Sequence, residues 1–163
     1  MEKTNKKVNK IISEIRKLKR NGFLKLKPLQ GEVRFKCQRC GKCCNSPLPI
    51  ILTKEDQKNT EVIKKSSTWY GFKVLKGNGK CPFFEKGRCK IHSKRPTVCK
   101  AYPFHYDPFT KKFYFDENCP GIGHGKIVSQ QKLREIKNYR LSFWRSITSD
   151  TKSLLKICQA FFL

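Results

Sequence analysis

Long hydrophobic runs are missing from this sequence. The longest nearly apolar segment, Pro47 to Leu52, is far shorter than the roughly 20 residues that a membrane-spanning helix needs. Residues 1–20 are crowded with Lys and Arg and contain no continuous apolar stretch, so they lack the shape of a secretion signal. These absences exclude a transmembrane segment, and we expect the chain to remain in the cytoplasm.

Apolar side chains are also scarce. Hydrophobic residues make up 37% of the chain, which is low for a globular protein, and charged residues make up 30%, which is high. The 163 residues suffice for one domain but not for two domains with separate interiors. Part of the cohesion must therefore come from something other than side-chain burial, and metal–thiolate bonds are the obvious source.

Acidic residues are few, 12 against 37 Lys and Arg, so the formal net charge is +25. A surplus of this size attracts polyanions such as nucleic acid. The basic residues are spread along the whole chain, which is typical of a solvated surface with non-specific polyanion affinity. A basic nucleic-acid-binding module with structural zinc is therefore one alternative for the function.

Cysteine, in contrast, is abundant, with nine residues. In a reducing cytosol, metal binding or redox chemistry is the default interpretation, although the disulfide-rich intracellular proteins of hyperthermophiles leave a disulfide framework as an alternative. Cys158 lies on the apolar stripe of the last predicted helix, where a free cysteine behaves as a small core residue. The other eight fall between positions 37 and 119.

The first cysteine run, Cys37 to Cys44, contains two overlapping C-x2-C spacings, and each spacing lets a tight turn direct two sulfurs at one centre. Adjacent side chains project differently, so Cys43 and Cys44 are poorly placed to share one small tetrahedral ion. A four-iron, four-sulfur cluster tolerates this arrangement better. Cys81-Pro82 and Cys119-Pro120 supply the Cys-Pro step of ferredoxins, but a second C-x2-C-x2-C run is missing and a ferredoxin is not predicted.

Six short motifs together resemble one known family. They are CQRCGKCC at 37–44, CPF at 81–83, GRCKI at 87–91, RPTVC at 95–99, AYPF at 101–104 and CPGIG at 119–123. This ordered set resembles the CxxCxxCC family of zinc- or iron-chelating cysteine-cluster proteins, over residues 37–125. The resemblance implies intracellular metal binding through Cys37, Cys40, Cys43, Cys44, Cys81, Cys89, Cys99 and Cys119. Its cofactor would be an iron–sulfur cluster as first choice, or zinc.

The family is also linked to a flagellin lysine methylase that shares the cluster, so a redox or methyltransferase-associated enzyme is a further alternative. His92 stands where such proteins usually carry Tyr. No segment has the strand and Gly-rich loop that commonly cradles a nucleotide-like cofactor. Whether the protein is an enzyme is therefore left open, and no catalytic residue is assigned.

Three other polar residues are candidates for contacts with the ligands rather than with the metal. Arg95 could donate hydrogen bonds to thiolate sulfur and offset the charge of a cluster. His92 and His124 are likewise candidates for contacts with the ligands, because eight thiols leave little need for an imidazole bound to the metal.

The apolar periodicity predicts helices at both ends of the chain. Val8, Ile11, Ile15 and Leu18 define the first, which should end near Asn21-Gly22. A long helix is expected from Lys126 onward, followed by a final helix capped by Ser149-Asp150. Thr53 and Asp56 should cap a helix that runs to about Lys65.

The middle of the chain predicts short hairpins and helical turns. Pro47–Leu52 should be an edge strand or an extended segment, and Phe72–Leu75 should pair through an Asn78-Gly79 turn with Cys81–Phe84. Cys81–Phe84 and Arg88–His92, separated by Glu85-Lys86-Gly87, should form the next hairpin, and Phe104–Tyr106 should pair with Lys112–Phe115. Pro96 should begin a short helical turn. The predicted fold class is α+β, a small metal-centred domain with amphipathic helices at both ends. We divide it into a basic N-terminal extension (1–36), a cysteine-cluster domain (37–125) and C-terminal helices packing on the same unit (126–163).

Overall fold

The computed structural model of the chain describes residues 2–76 and 79–163. Its helices are α1 (Glu2–Arg20), α2 (Lys42–Asn45), α3 (Thr60–Lys64), α4 (Thr97–Ala101), α5 (Gln130–Ile147) and α6 (Thr151–Phe162), with 3₁₀ turns at Asp56–Lys58 and His92–Lys94. Its strands are β1 (Leu26–Pro28), β2 (Arg34–Phe35), β3 (Ile50–Ile51), β4 (Ser67–Trp69), β5 (Phe72–Leu75), β6 (Phe84–Glu85), β7 (Arg88–Cys89), β8 (Phe104–Tyr106), β9 (Phe113–Asp116) and β10 (Lys126–Ile127).

The strands form several small antiparallel sheets. Two are three-stranded, in the orders β1-β9-β8 and β3-β5-β4, and the pairs β10-β2 and β6-β7 are two-stranded. The chain thus combines helices, including one at each end, with small antiparallel sheets, which confirms the α+β class. Among the residues described, no helix combines the length and hydrophobicity needed to cross a membrane.

The terminal helices pack against each other, α1 on α6. Val8, Ile11 and Ile15 of α1 are buried in a core that also contains Ile157 and Cys158 of α6, so the expected role of Cys158 as a core residue is confirmed. The helix α1 ends as predicted, because Gly22 adopts a φ of +73° and the bonds from Gly22 N to Lys19 O and from Phe23 N to Leu18 O form a Schellman motif.

The predicted helix from Thr53 to Lys65 is present in a broken form. Thr53 and Asp56 do form a reciprocal capping box, with 2.9 Å from Thr53 N to Asp56 Oδ2 and 3.2 Å from Asp56 N to Thr53 Oγ1. Only a 3₁₀ turn follows, since Asn59 accepts hydrogen bonds from Glu61 N and Val62 N and so starts α3 as a new helix.

The predicted pairing of Phe72–Leu75 with Cys81–Phe84 is wrong. The strand β5 pairs instead with β4 and β3. Tyr70 and Gly71, at φ +46° and +83°, form the two-residue turn between β4 and β5, and two positive φ values match the type I′ hairpin. Asn78 of the predicted Asn78-Gly79 turn lies outside the described residues.

Several other predicted elements are confirmed. The predicted hairpin at Glu85-Lys86-Gly87 is present as β6 and β7, although each strand has only two residues and Glu85, which pairs with Arg88, leaves Lys86-Gly87 as the turn. The strands β8 and β9 pair in antiparallel register, and β3 is an edge strand. The long C-terminal helix begins at Gln130 rather than Lys126, because Lys126–Ile127 pairs with β2 as β10 and Ser129 caps the helix.

Candidate metal centre

A cavity of about 750 Å³ brings together residues that are far apart in sequence. All eight cysteines of the family motif line it: Cys37, Cys40, Cys43, Cys44, Cys81, Cys89, Cys99 and Cys119. Cys158 does not line it and lies in the core between helices. All nine cysteines are free thiols, so the structure does not contain the disulfide framework that was the alternative to metal binding.

Gly41 shapes the first cysteine run. It precedes α2 with a φ of +73°, and a Cβ atom added to it would lie 2.1 Å from Cζ of Phe84. Only glycine accommodates both the left-handed backbone and the close approach of this ring. The ring therefore fixes α2, which carries Cys43 and Cys44, against the β6–β7 hairpin, which carries Cys89.

Cys44 is the link between the first run and the next cysteine. The Cys81 N–H donates to the Cys44 carbonyl at 3.1 Å, and the Cys44 side chain hydrogen-bonds with both Cys43 and Cys81. These bonds are the main cause that lowers the pKa of Cys43 and of Cys81 to about 6, while they raise the pKa of Cys44. Thiolates are the form of cysteine that binds metals, so Cys43 and Cys81 are prepared for ligation, whereas Cys44 has to lose its proton on binding.

A buried lysine lies beside these three cysteines. Lys76 is only 5% exposed, and its Nζ donates to the Cys43 carbonyl at 2.9 Å and to Ser46 Oγ at 3.3 Å. Its charge helps to lower the pKa of Cys43 and Cys81, whereas burial lowers the pKa of Lys76 itself. A buried ammonium group is costly unless negative charge compensates it, and thiolates supply that charge. Nothing in the sequence distinguishes Lys76 from the many other lysines.

Cys99 lies on α4, which is fixed from outside the helix. Asp56 Oδ1 accepts hydrogen bonds from Thr97 N at 2.9 Å and Thr97 Oγ1 at 2.8 Å, at the first turn of α4. Burial is the main cause that raises the pKa of Cys99, and the charges of Cys43 and Cys81 add to it. The capping box at Asp56 was predicted from sequence, but its second role in holding α4 was not.

Cys119 lies in a tight turn after β9. Its N–H donates to the Asp116 carbonyl at 3.1 Å, and the Asp116 side chain accepts from Lys25 N and Asn118 N. A Cβ added at Gly121 would lie 2.5 Å from the Lys36 carbonyl, so glycine lets this turn approach the chain that leads into Cys37. Burial raises the pKa of Cys119, and the charges of Cys40 and Cys37 raise it further.

The three polar candidates fall in different places. His92 Nε2 lies 3.9 Å from Cys37 Sγ and also contacts Arg95 Nη1, and both residues line the cavity. Burial and then the charge of Arg95 lower the pKa of His92. His124 is exposed and is not among the residues that line the cavity.

The donor set suits a thiolate-bound metal, but the sulfurs are not gathered around one small ion. Across residues 2–76 and 79–163, no group of three or more His, Cys, Asp or Glu side chains is spaced to hold a metal ion. Cys37, Cys40 and Cys43 are exposed, whereas Cys81 is buried. Eight sulfur donors without a disulfide, with Lys76 buried beside Cys43, therefore describe a thiol-lined cavity with an exposed side and a buried side.

Comparison with known proteins places this thiol-lined site in a class. A family model described as "CxxCxxCC: Putative zinc- or iron-chelating domain" matches residues 36–120. The match covers more than half of the chain, and the protein therefore belongs to the CxxCxxCC family. This membership supports metal binding, with zinc or iron as the metal.

One similar protein is an uncharacterised protein of Methanocaldococcus jannaschii. It is 27% identical over 157 aligned residues, which cover 82% of this chain and 85% of the relative. No solved structure matches this chain.

Proposed function

We propose that this protein holds an iron–sulfur cluster, or failing that zinc, through Cys37, Cys40, Cys43, Cys44, Cys81, Cys89, Cys99 and Cys119. The observation that carries the proposal is that these eight cysteines, from separate turns and short helices, line one cavity, while Cys158 does not. The cysteine-cluster region (37–125) would be the binding unit, and the flanking segments (1–36 and 126–163) would cover it. A reducing cytoplasm would keep the thiols available.

An iron–sulfur cluster is favoured over a single zinc ion by the arrangement of the inner sulfurs. The adjacent residues Cys43 and Cys44 both line the cavity, although a small tetrahedral ion rarely accepts two neighbouring ligands. A cluster spans a larger volume and is held by thiolates from several loops.

The surrounding cations would then tune the centre. Lys76 is held against the backbone of Cys43, and Arg95 contacts His92, which faces Cys37. Hydrogen bonds and positive charge near ligating sulfur stabilise thiolates and shift the reduction potential of clusters.

The test is to produce the protein without oxygen and to measure metal and sulfide per chain together with the optical spectrum. We expect brown protein with iron and acid-labile sulfide, and Cys81→Ser should lose most of the metal. The matched control is Cys158→Ser, which should retain it, because Cys158 lies outside the cavity. Colourless protein with stoichiometric zinc would remove the iron–sulfur assignment, and metal-free protein would refute the whole proposal.

A nucleic-acid-binding module with structural zinc is a second candidate, carried by the net charge of +25. Binding through phosphate contacts releases counterions, so the affinity should fall steeply and linearly on a log–log plot against salt. Titration with a duplex and with single-stranded RNA at several salt concentrations measures this slope. Absence of binding at low salt would eliminate this candidate.

A further inference from the structure

The cavity has a second polar feature, carried by residues other than the cysteines. Arg140, on the inner face of α5, is only 2% exposed. Its Nε donates to the Phe104 carbonyl at 2.7 Å, but its Nη2 is buried without a hydrogen-bond partner. Within the part of the chain that the structure describes, no ion pair includes Arg140.

The edge of a sheet explains why Arg140 lies there. The strand β8 is an outer strand, so carbonyl groups on its free side need donors. Arg140 and Trp144, four residues apart on α5, donate to the carbonyls of Phe104 and Tyr106 at 2.7 and 2.9 Å. One nitrogen of Arg140 is enough for this structural role, and the remainder of the guanidinium is left for another partner.

His105 supplies a second unpaired nitrogen at the same place. It is 6% exposed, and its Nε2 is buried without a partner. Burial and then the charge of Arg140 keep the pKa of His105 well below its usual range, so the imidazole is neutral. A neutral imidazole donates one hydrogen bond and adds no charge.

Both residues line the cavity, together with the apolar side chains of Phe143, Trp144 and Phe161. The whole cavity, which also includes the cysteine side, has a volume of about 750 Å³, and this total lies in the range of sites for small organic molecules, roughly 300–1,000 Å³. A buried donor without a partner costs on the order of 1–3 kcal/mol. The Arg140 Nε is paired with the Phe104 carbonyl and Cζ lies 5.9 Å from the centroid of the Phe143 ring. The buried Nη2, which has no hydrogen-bond partner, therefore points to an anionic ligand.

Most of the acidic residues in the lining are engaged elsewhere. The Asp116 carboxyl accepts from Lys25 N and Asn118 N, and Glu117 pairs with Lys27 at 3.4 Å. Glu14 belongs to α1 and is partly exposed. No carboxylate of the described chain thus occupies the position beside Arg140.

We propose that this part of the cavity binds an organic monocarboxylate, whose carboxylate pairs with Arg140 and His105 and whose apolar body packs on Phe143, Trp144 and Phe161. One guanidinium and one neutral imidazole match a single negative charge, whereas a phosphate dianion would need more donors. The inference goes beyond the proposed metal binding and does not depend on it, because neither Arg140 nor His105 is a proposed metal ligand.

The test is calorimetric titration of the purified full chain with decanoate and with decan-1-ol, the neutral analogue of the same length. We expect decanoate to bind at least tenfold more tightly than the alcohol. Arg140→Gln should weaken decanoate binding at least tenfold, and the matched control Arg145→Gln, on the exposed side of α5, should leave it unchanged. The comparison of acid and alcohol uses the unmodified protein, so it decides the matter even if Arg140→Gln does not fold.

Equal affinities for acid and alcohol, or no binding of either, would overturn the proposal. Burial lowers the pKa of Arg140 to about 9, and the charges of Cys99 and Tyr102 oppose this shift. Because Cys99 is a proposed ligand, the metal content of each variant is measured as well. Loss of metal from Arg140→Gln with unchanged decanoate binding would overturn the proposal and assign the guanidinium to the metal site. If the protein purified without oxygen contains no metal but binds decanoate, the decanoate binding supports this inference and the absence of metal refutes the proposed metal function.

Discussion

Asp56 joins two parts of the chain on which the cysteine cavity depends. Its carboxylate accepts from Thr53 N at 2.9 Å, from Thr97 N at 2.9 Å and from Thr97 Oγ1 at 2.8 Å. Thr53 and Thr97 are both buried. Asp56→Ala would therefore leave the backbone N–H groups of Thr53 and Thr97 without this partner, and the Thr97 hydroxyl would keep only Thr53 Oγ1, at 3.4 Å. It would also release the first turn of α4, which carries Cys99.

The magnitude follows from these contacts. Each unsatisfied buried donor costs on the order of 1–3 kcal/mol, and relaxation and water entry reduce the sum. We expect Asp56→Ala to lower the free energy of unfolding by about 3 kcal/mol, which corresponds to a fall in Tm of roughly 6–12 °C in a domain of this size. Metal retention should fall as well, because Cys99 is no longer held in place.

Urea and thermal unfolding of the variant beside the unmodified protein measure this change. The matched control is Glu55→Ala, since Glu55 is the adjacent residue and only pairs with Lys58 on the exposed surface. Exposed ion pairs contribute about 0–1 kcal/mol, so this control should be nearly neutral. A destabilisation below about 1 kcal/mol for Asp56→Ala would refute the assigned role of Asp56, given the cost of even one unpaired buried donor.

Three further predictions concern the cysteine cavity. Gly41→Ala should destabilise the protein by more than about 1 kcal/mol, the cost of a strained left-handed residue. In a double-mutant cycle, Phe84→Ala should partly rescue this loss, and full additivity of the two changes would contradict the contact between the Gly41 position and the Phe84 ring. Lys76→Met should release metal at least tenfold faster in a chelator competition assay, whereas Lys73→Met, on the exposed side of β5, should not. Equal rates of metal release from the two variants would show that the buried ammonium is not coupled to the site. In metal-free protein, Cys43, whose pKa is lowered to about 6, should be alkylated readily at pH 7 and more slowly as the pH falls below 6. Cys158, whose pKa is raised to about 12 by burial, should stay unmodified. Mass spectrometry that finds Cys158 modified first would contradict this order.

The sequence predicts local structure best where one strong signal acts alone. The helix α1 was predicted to its end because Asn21-Gly22 follows a clear apolar stripe, and the Asp150 cap of α6 was predicted from its position before Leu154 and Leu155. The failure at residues 70–84 came from two competing turn signals. Asn78-Gly79 has the stronger composition, but Tyr70-Gly71 is the pair that closes the hairpin.

The eight candidate ligands were predicted from the sequence, and their binding to a metal stays a prediction, whereas the residues around them could not be predicted. Cysteine spacing and family motifs name the eight thiols directly. Lys76, Asp116 and Arg140 act through contacts between residues distant in sequence, such as Arg140 with Phe104, and no local pattern reports such contacts. His124 was proposed because an imidazole can contact the ligands of such a site, yet it lies on the exposed surface, outside the cavity lining.

The central claim is that sulfur atoms from separate turns bind a common metal centre. X-ray absorption at the metal edge, on protein purified without oxygen, measures the neighbours of the metal directly. Sulfur should dominate those neighbours, at about 2.3 Å if the metal is zinc, and the sulfur signal should be unchanged in Cys158→Ser and diminished in Cys81→Ser. A metal surrounded only by oxygen and nitrogen would contradict the account.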